Sequence, residues 1–295
     1  MEGIKIFCNG KSAGDDFHAE SWQLKDAIKM KKTHLIISAF VALAGFLSQG
    51  NAQGFLNNAG SFAVLGGATV TSTGNTVLNG DLGVSPGTAI TGFTFSTPTP
   101  GPGIVNGTTD AGGAFAATAQ TNIVSAYNHL AGEVFTQNLT GQDLGGLTTT
   151  PGVYHFDTSA QLTGILVLDA QGDSNARFDF QIGSTLISAS GAAVHLINGA
   201  QAGNVFWQVG TSATLGVDTS FYGSILADQS ITLNTAASLI GRALAMNGAV
   251  TLDNNLIGIP TSVPEPNSFW LLIFSGSVFG GWRWLMKRRR QTKQS

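Results

Sequence analysis

Short apolar runs separated by glycine, asparagine, aspartate and threonine recur from about residue 53 to residue 260. Such runs, bounded by turn-forming residues, are typical of β-strands rather than of helices. The glycine-rich and threonine-rich segments between them suit tight turns. The pattern therefore predicts a mainly β body made of many short strands.

The clearest internal repeat lies near the end of this body. Residues 220–227 (SFYGSILA) and 238–245 (SLIGRALA) begin about 18 residues apart, and strand-like pieces follow them at 230–233 and 249–252. A short repeat of this kind indicates a solenoid in which each rung contacts only its neighbours. A rung of about 18 to 24 residues can hold three short strands and their corners. The predicted fold is therefore a β-helix (β-solenoid) of triangular cross-section.

A β-sandwich is the alternative fold, because it also uses many short strands. Its hairpins more often show Asn-Gly turns between alternating runs. Such dipeptides do occur, at Asn79-Gly80, Asn106-Gly107, Asn198-Gly199 and Asn247-Gly248. The sandwich therefore stays open beside the solenoid.

One segment, between residues 110 and 130, departs from the strand pattern. Its apolar residues recur at helical spacing, at Phe115, Ala119, Ile123, Ala126, Tyr127 and Leu130. A polar residue at 108–110 can cap the start, and Gly132 suits the position after the end. A single apolar stripe must be covered, so we expect one long α-helix packed alongside the solenoid.

Both ends of the chain look like processing signals. At the N-terminal end, a basic start, an apolar run at 35–47 and small residues at 50–52 give the layout of a secretory signal peptide at 30–52. The run is short for a bilayer core of about 30 Å, which disfavours a transmembrane helix. Residues 1–29 precede this signal, although a signal peptide normally begins the chain. They are therefore predicted to be an upstream extension from an incorrect start site. The one cysteine, Cys8, lies there, so no disulfide is expected in the body.

The C-terminal tail, residues 261–295, has its own three-part order. Val263-Pro264-Glu265-Pro266 precedes an apolar stretch at about 268–286, and a basic cluster follows at 287–290. The stretch is long enough for a transmembrane helix, with the basic cluster on the cytoplasmic side. This order resembles the PEP-CTERM sorting signal of Gram-negative bacteria, which implies recognition by an exosortase-type sorting machinery and removal or exchange of the tail.

A plain stop-transfer anchor is the alternative reading of the tail. Either reading predicts an exported protein, secreted or associated with the cell envelope of a Gram-negative bacterium. The C-terminal helix would hold it in the membrane before processing.

Composition narrows the class of protein further. Of the 295 residues, 43% are hydrophobic and 11% are charged, which argues against both a disordered chain and a coiled coil. All eight lysines lie outside residues 53–260. Within this range there are two arginines and eleven acidic residues. Nucleic-acid affinity depends mostly on cations that neutralise phosphates, so this acidic body is not expected to bind nucleic acid.

Eight segments of the body carry recognisable motifs, at residues 62–71, 80–87, 151–154, 168–173, 180–186, 204–210, 241–245 and 250–253. Together they resemble the ice-binding-like domain of bacteria, fungi and diatoms. The resemblance spans essentially all of residues 53–260 and implies a right-handed β-helix with a discontinuous rung order and one long helix alongside. It also implies a non-enzymatic protein that adsorbs to ice, as an antifreeze or recrystallisation inhibitor, and we expect neither cofactor nor metal.

Ice carries no charge, so a protein that binds it needs a flat, rigid and nearly uncharged face. Threonine offers a methyl group that orders neighbouring water and a hydroxyl that holds it in register, on a side chain that is stiff at χ1. Short Thr-, Ser- and Ala-rich strings resemble, more or less closely, the family's loose Thr-(Ala/Gly)-x-(Thr/Asn) pattern. The candidate ice-binding residues they provide are Thr73, Thr76, Thr88, Thr91, Ser188, Ser190, Thr211, Thr214, Thr235 and Ser238.

Two other functions stay open. A structural or adhesive module of the cell surface or extracellular matrix could use the same scaffold without ice activity. A carbohydrate-active enzyme would use the cluster of Asp169, Asp173 and Asp179, in which paired carboxylates could act as acid and base. Alternatively, Asp169 and Asp173 could hold calcium. Arg177 lies among these residues. Aspartates at rung corners more often bond their own backbone and make turns, so we expect no catalytic site.

Overall fold

The computed structural model describes residues 52–96 and 100–260. The predicted extension at 1–29, the signal peptide at 30–52 apart from Ala52, and the tail at 261–295 with its span at 268–286 lie outside the described residues. Within the described ranges, no helix has both the length and the apolar character needed to cross a bilayer.

The described chain is mainly β, and its twenty-two strands pair in parallel with one another. They form three stacks of hydrogen-bonded strands, which we call ladders A, B and C. Ladder B is a separate sheet of seven strands. Ladders A and C together form a sheet of fifteen strands, because the eight-residue strands β18 (Ser220–Ala227) and β20 (Ser238–Ala245) contribute their second halves to ladder A and their first halves to ladder C.

The strand order in each ladder follows from the pairings. Ladder A runs β7 (Thr109–Ala111), β4 (Asp81–Val84), β1 (Phe62–Gly66), β20, β18, β16 (Val205–Val209), β13 (Phe178–Ile182), β10 (Gly152–Phe156) and β8 (Gln137–Asn138). Ladder B runs β5 (Ala89–Thr91), β2 (Thr69–Thr73), β21 (Val250–Asp253), β19 (Ile231–Leu233), β17 (Ala213–Leu215), β14 (Leu186–Ser188) and β11 (Ala160–Leu162). Ladder C runs β6 (Ile104–Asn106), β3 (Val77–Asn79), β22 (Leu256–Gly258), β20, β18, β15 (Ala193–Ile197), β12 (Ile165–Asp169) and β9 (Thr148–Thr149).

The chain visits the three ladders in turn, but the order of its rungs is discontinuous. The first rung, β1 to β3, pairs with the last one through β20, β21 and β22. The next strands, β4 to β7, continue away from this contact. After the helix the chain continues with β8 and β9, which lie at the ends of ladders A and C opposite to β7 and β6. Each later rung then lies nearer to the first rung, and the last rung pairs with it. The two ends of the described chain therefore meet inside the stack.

The helix predicted between residues 110 and 130 is α2, Ala114–Gly132. The carboxylate of Asp110 caps it, since Oδ2 accepts the backbone N–H of Ala116 at 2.7 Å. Its 19 residues span about 28 Å, whereas the nine strands of ladder A span roughly 38 Å. The helix is therefore shorter than the ladder that it covers, which corrects the expectation of a long helix.

An apolar layer joins α2 to the outer side of ladder A. The buried helix residues are Ala116, Ala119, Ile123, Ala126 and Leu130. They pack with the short helix α1 (Ala52–Leu56), the 3₁₀ segment Asn57–Ser61 and ladder residues that include Leu65, Leu226 and Leu244. Two residues predicted for the stripe lie at its margin, since Phe115 is exposed and Tyr127 is only partly buried.

The main core lies on the inner sides of the three ladders and contains a stack of rings. Tyr154, Phe180 and Trp207 occupy matching positions on successive strands of ladder A, with ring centroids 5.3 Å and 4.0 Å apart. Phe221 continues the stack 4.8 Å from Trp207, whose indole N–H donates to the carbonyl of Tyr222 at 3.0 Å. These aromatic side chains fill the interior and so make the ladders rigid.

Candidate functional site

Ladder B presents a regular outer face because its strands alternate strictly between core and surface. The inward residues are at most 8% exposed. Two of them are serines, Ser72 and Ser188, and the others are Ile90, Val70, Val250, Leu252, Ile231, Leu233, Ala213, Leu215, Leu186, Ala160 and Leu162. Successive side chains of a strand point to opposite faces, so the residues between these aliphatics must point outward. The outer face is therefore backed by a closely packed apolar layer.

Five outward threonines stand side by side on this face. Thr91 pairs with Thr71, and Thr71 pairs with Thr251. Thr251 pairs with Thr232, which pairs with Thr214. We call these five residues the threonine column. Since neighbouring strands are about 4.7 to 4.9 Å apart, the column repeats the same methyl and hydroxyl groups at a constant interval.

A second column lies two residues earlier in each strand or in the turn that leads into it. Its hydroxyl-bearing members, which we call the hydroxyl column, are Thr69, Ser230, Ser212, Thr185 and Ser159, with Ala89 and Ala249 in the remaining places. Some hydroxyls bond along the column, as where Oγ1 of Thr185 donates to Oγ of Ser159 at 2.7 Å. Two residues along a strand span about 6.7 Å, so the two columns form a narrow two-dimensional array.

The array is uncharged and bears no aromatic ring. The threonine column continues beyond Thr214 with Ile187 and then Gln161. Asp143 adjoins Gln161 at that end of the ladder, and Asp253 lies at the border with ladder C. Between these limits the surface combines the methyl and hydroxyl groups of small side chains with the aliphatic side chain of Ile187.

Only part of the predicted ice-binding set lies in this array. Thr91 and Thr214 are members of the threonine column. Thr73 and Thr235 are exposed at its border, where both hydroxyls donate to the carboxylate of Asp253. These four residues therefore lie within the array or next to it.

Three of the predicted residues cannot contact a flat surface on ladder B. Thr76 is fully buried at a corner, where its Oγ1 accepts the N–H of Asn255 at 3.2 Å. Ser188 points inward from β14 and bonds Oγ1 of Thr219 at 2.9 Å. Ser238 begins β20 and therefore lies on ladder C. Their threonine-rich or serine-rich strings cross corners, where the alternation between inward and outward positions is interrupted.

The remaining three predicted residues lie in turns that flank strands of ladder B. Thr88 and Ser190 are exposed, but they lie outside the strands whose spacing sets the array. Thr211 lies between β16 and β17 and is only partly exposed. These residues border the candidate face without extending it.

The threonines that sequence reasoning missed are Thr71, Thr232 and Thr251. Each stands between two small or aliphatic inward residues, as in Ile231-Thr232-Leu233 and Val250-Thr251-Leu252. That strict alternation is the signal that could have identified them. The strings with two threonines instead include residues at corners, such as Thr76.

The acidic cluster considered for catalysis or calcium is dispersed. Oδ1 of Asp169 accepts the N–H of Gln171 and Nδ2 of Asn198, each at 2.8 Å. Oδ1 of Asp173 accepts the N–H of Asn175 at 2.9 Å. Both carboxylates therefore stabilise turns. In the part of the chain that the structure describes, no group of three or more His, Cys, Asp and Glu side chains is placed to hold a metal ion.

Asp179 lies apart from these turns, on the outer side of ladder A. Nε of Arg177 is 2.8 Å from its Oδ2, and Nη2 of the same arginine is 3.2 Å from Oε1 of Glu133. The guanidinium also lies over the rings of Phe55 and Phe206, at 4.5 Å and 5.0 Å from their centroids. Burial, opposed by Arg177 and reinforced by Glu133, raises the pKa of Asp179 to about 7. The cluster fastens α1 and the end of α2 to ladder A.

The chain matches a known family of proteins in sequence and in fold. Residues 64–258 match the family model described as ice-binding-like, and the chain belongs to that family. An ice-binding protein of Nostoc sp. (strain HG1) is 48% identical over 262 residues, which cover 85% of this chain and 94% of the relative. An ice-binding protein of Flavobacterium frigoris (strain PS1) is 34% identical over 216 residues, or 70% of this chain and 76% of the relative.

Solved structures show the same likeness. The crystal structure of an ice-binding protein from an Antarctic biological consortium matches with a TM-score of 0.66 and 45% identity, over 70% of this chain and 90% of that one. An ice-binding protein from the Antarctic ascomycete Antarctomyces psychrotrophicus also matches with a TM-score of 0.66, at 36% identity, over 70% of this chain and 98% of that one.

Proposed function

We propose that this protein binds ice through the outer face of ladder B. The observation that carries the proposal is the threonine column, five identical side chains in register on adjacent strands. The names of the relatives support the same function. The proposal requires no catalytic step and no cofactor.

The outer face of ladder B is ordered before it meets ice. Threonine is stiff at χ1, and the backbone beneath it is held by a parallel sheet and a buried aliphatic layer, so little entropy is lost on contact. The methyl groups order the adjacent water, and the hydroxyls take places in its hydrogen-bond network. A level, uncharged array can therefore hold a layer of ordered water that joins a growing ice crystal.

We further propose that the three ladders are the sides of a right-handed β-solenoid of triangular cross-section, with α2 along one side. The cyclic visits of the chain to ladders A, B and C support this arrangement. In such a solenoid ladder B is one whole side, which would make its outer face accessible along its full length.

A matched pair of substitutions tests the proposed face. Thr251→Lys places a long charged side chain at the centre of the threonine column. Ile240→Lys places the same side chain on ladder C, in β20, the strand that precedes β21 along the chain. We expect the first variant to lose nearly all of the gap between melting and freezing temperatures and most of its inhibition of ice recrystallisation. The second should keep both activities, because it leaves ladder B untouched.

The outcomes separate the candidate functions. Equal loss in both variants would place the ice-binding surface elsewhere. A folded parent protein without either activity would contradict ice binding and favour a structural or adhesive module on the same scaffold. Circular dichroism of each variant at the assay temperature confirms that folded protein is being compared.

We also propose that the body is exported from a Gram-negative bacterium. The signal-peptide layout at 30–52 and the sorting-signal layout at 261–295 support this. Exosortase-type machinery would process the tail, which would anchor the protein in the membrane until then. Intact mass of the protein isolated from its source tests both ends: we expect a chain that begins at Gln53 and lacks the apolar stretch.

A further inference from the structure

The threonine column is assembled from parts of the chain that are far apart in sequence. Thr91 and Thr71 come from early rungs, whereas Thr251 and the two threonines beyond it come from late ones. The two sets meet where β2 pairs with β21, and β1 and β3 meet β20 and β22 in the same way. We call these three pairings the seam. No local sequence preference holds Thr71 beside Thr251, so contacts across the seam must do so.

Arg242 crosses the seam on the side of ladder A. It lies in β20 and is 3% exposed. Its Nε donates to the carbonyl of Gly60 at 2.9 Å, and its Nη1 donates to Oγ of Ser224 at 3.2 Å. Gly60 belongs to the 3₁₀ segment that leads directly into β1, and Ser224 lies in β18. One side chain therefore ties the first rung to the last two.

The cost of burying this side chain points to a specific role. None of the ion pairs between described residues includes Arg242. Burial lowers its pKa to about 10, which still leaves the guanidinium charged at neutral pH. A buried charge without acceptors is strongly destabilising, so the folded chain must bring Gly60 and Ser224 to it. An apolar side chain of similar length would fill the space without specifying which segment docks there.

Bonds at the corner between ladders B and C reinforce the seam. Oγ1 of Thr73 donates to Oδ1 of Asp253 at 3.0 Å. Oγ1 of the buried Thr76 accepts the N–H of Asn255 at 3.2 Å. Two threonines that looked like ice-binding candidates from the sequence therefore help to join the first rung to the last.

We propose that Arg242 is a positioning residue for ice binding, which keeps the threonine column continuous by holding the first rung in register with the last. The inference rests on the proposed function for its effect on ice. If the seam loosens, the column divides into a pair, Thr91 and Thr71, and a triplet that begins at Thr251. Adsorption sums many weak contacts in register, so two short pieces hold much less ordered water than one continuous column.

Hydrogen exchange and ice activity of Arg242→Met test the proposal together. We expect peptides covering residues 62–73 to exchange at least about tenfold faster, which corresponds to about 1.4 kcal/mol of local opening free energy. Peptides covering residues 205–215 should change little. The gap between melting and freezing temperatures should shrink in the same samples, and Arg242→Lys, which keeps the charge and can keep one of the two bonds, should recover part of both effects.

Arg177→Met is the matched control, because it removes the other arginine of the described body from a place outside the seam. It should leave the ice activity as in the parent protein, and it should raise the exchange of residues 62–73 no more than that of residues 205–215, which include Phe206 beneath its guanidinium. If Arg242→Met does not fold, Thr76→Val tests the same seam from its other side and should show the same local pattern.

Each failure has its own signature. Exchange that rises equally in both groups of peptides, or full ice activity in a variant with a loosened seam, overturns the role of Arg242. Unchanged protection of residues 62–73 in both seam variants also overturns it. A parent protein that lacks ice activity contradicts the proposed function instead, while the exchange measurement still reports on the seam.

Discussion

Ladders B and C lie on the same core but present different outer faces. Both consist of parallel strands contributed by the same rungs, and their inward residues, such as Leu252 and Leu239, are fully buried. Ladder B carries the threonine column on its outside. Ladder C carries aliphatic side chains of unequal size, with the larger Tyr222 and His195 between them. The scaffold therefore sets the spacing, and the outward side chains decide what the surface can bind.

The largest expected effect tests whether the two ladders share one core. Leu252→Ala beneath ladder B and Leu239→Ala beneath ladder C should each lower the free energy of unfolding by about 2 to 5 kcal/mol, because each leaves a cavity in a fully buried site. Urea unfolding monitored by tryptophan fluorescence measures the loss. A loss near zero at one site and a large loss at the other would mean that the ladders rest on separate cores.

An effect of intermediate size distinguishes ladder A from ladder B by their response to pH. The pKa of Asp179 is raised to about 7 in the folded protein, compared with about 3.9 in an unfolded chain. Between these values the folded state holds a proton that the unfolded state has released. The free energy of unfolding should therefore fall as pH rises from about 4 to about 7, by at most about 1.4 kcal/mol for each pH unit.

Asp179→Asn provides the control, because it keeps the shape of the protonated carboxyl group. Urea unfolding of this variant should depend much less on pH, and an unchanged slope would show that other groups cause the dependence. The two columns of ladder B contain no titratable side chain. Ice activity of the folded parent protein should therefore stay nearly constant over the same pH range.

The smallest expected effect is a gain. Ile187→Thr would extend the threonine column by one strand, since Ile187 pairs directly with Thr214. Ala193→Thr, an outward position on ladder C, is the matched control. We expect a modest increase in recrystallisation inhibition from the first variant and none from the second. An equal gain from both would mean that surface threonines act without regard to their ladder.

Much of the fold could be read from patterns along the chain. Short runs between turn formers predicted a mainly β body, and the echo between residues 220–227 and 238–245 became the paired strands β18 and β20. Helical spacing of apolar residues placed α2 to within a few residues at each end. These are local properties, because the periods of helices and strands are set by backbone geometry.

The candidate face was predicted less well. Of the predicted residues, Thr91 and Thr214 lie in the threonine column, whereas Thr76 and Ser188 are buried and Ser238 lies on another ladder. Motif strings do not show where a corner ends one strand and begins the next. A shift of one residue reverses the direction of a side chain, so an error of one position exchanges surface for core.

The sequence by itself determined which residues of each strand can face outward, because side chains in a strand alternate with a period of two. It also determined that the outer faces carry threonine, serine and aliphatic groups with few charges. Only the tertiary structure decided which threonines are neighbours, since Thr71 meets Thr251 through a pairing between rungs at opposite ends of the described chain. Register across such a distance depends on the packing of the whole stack and on seam contacts such as those of Arg242, which no local pattern encodes.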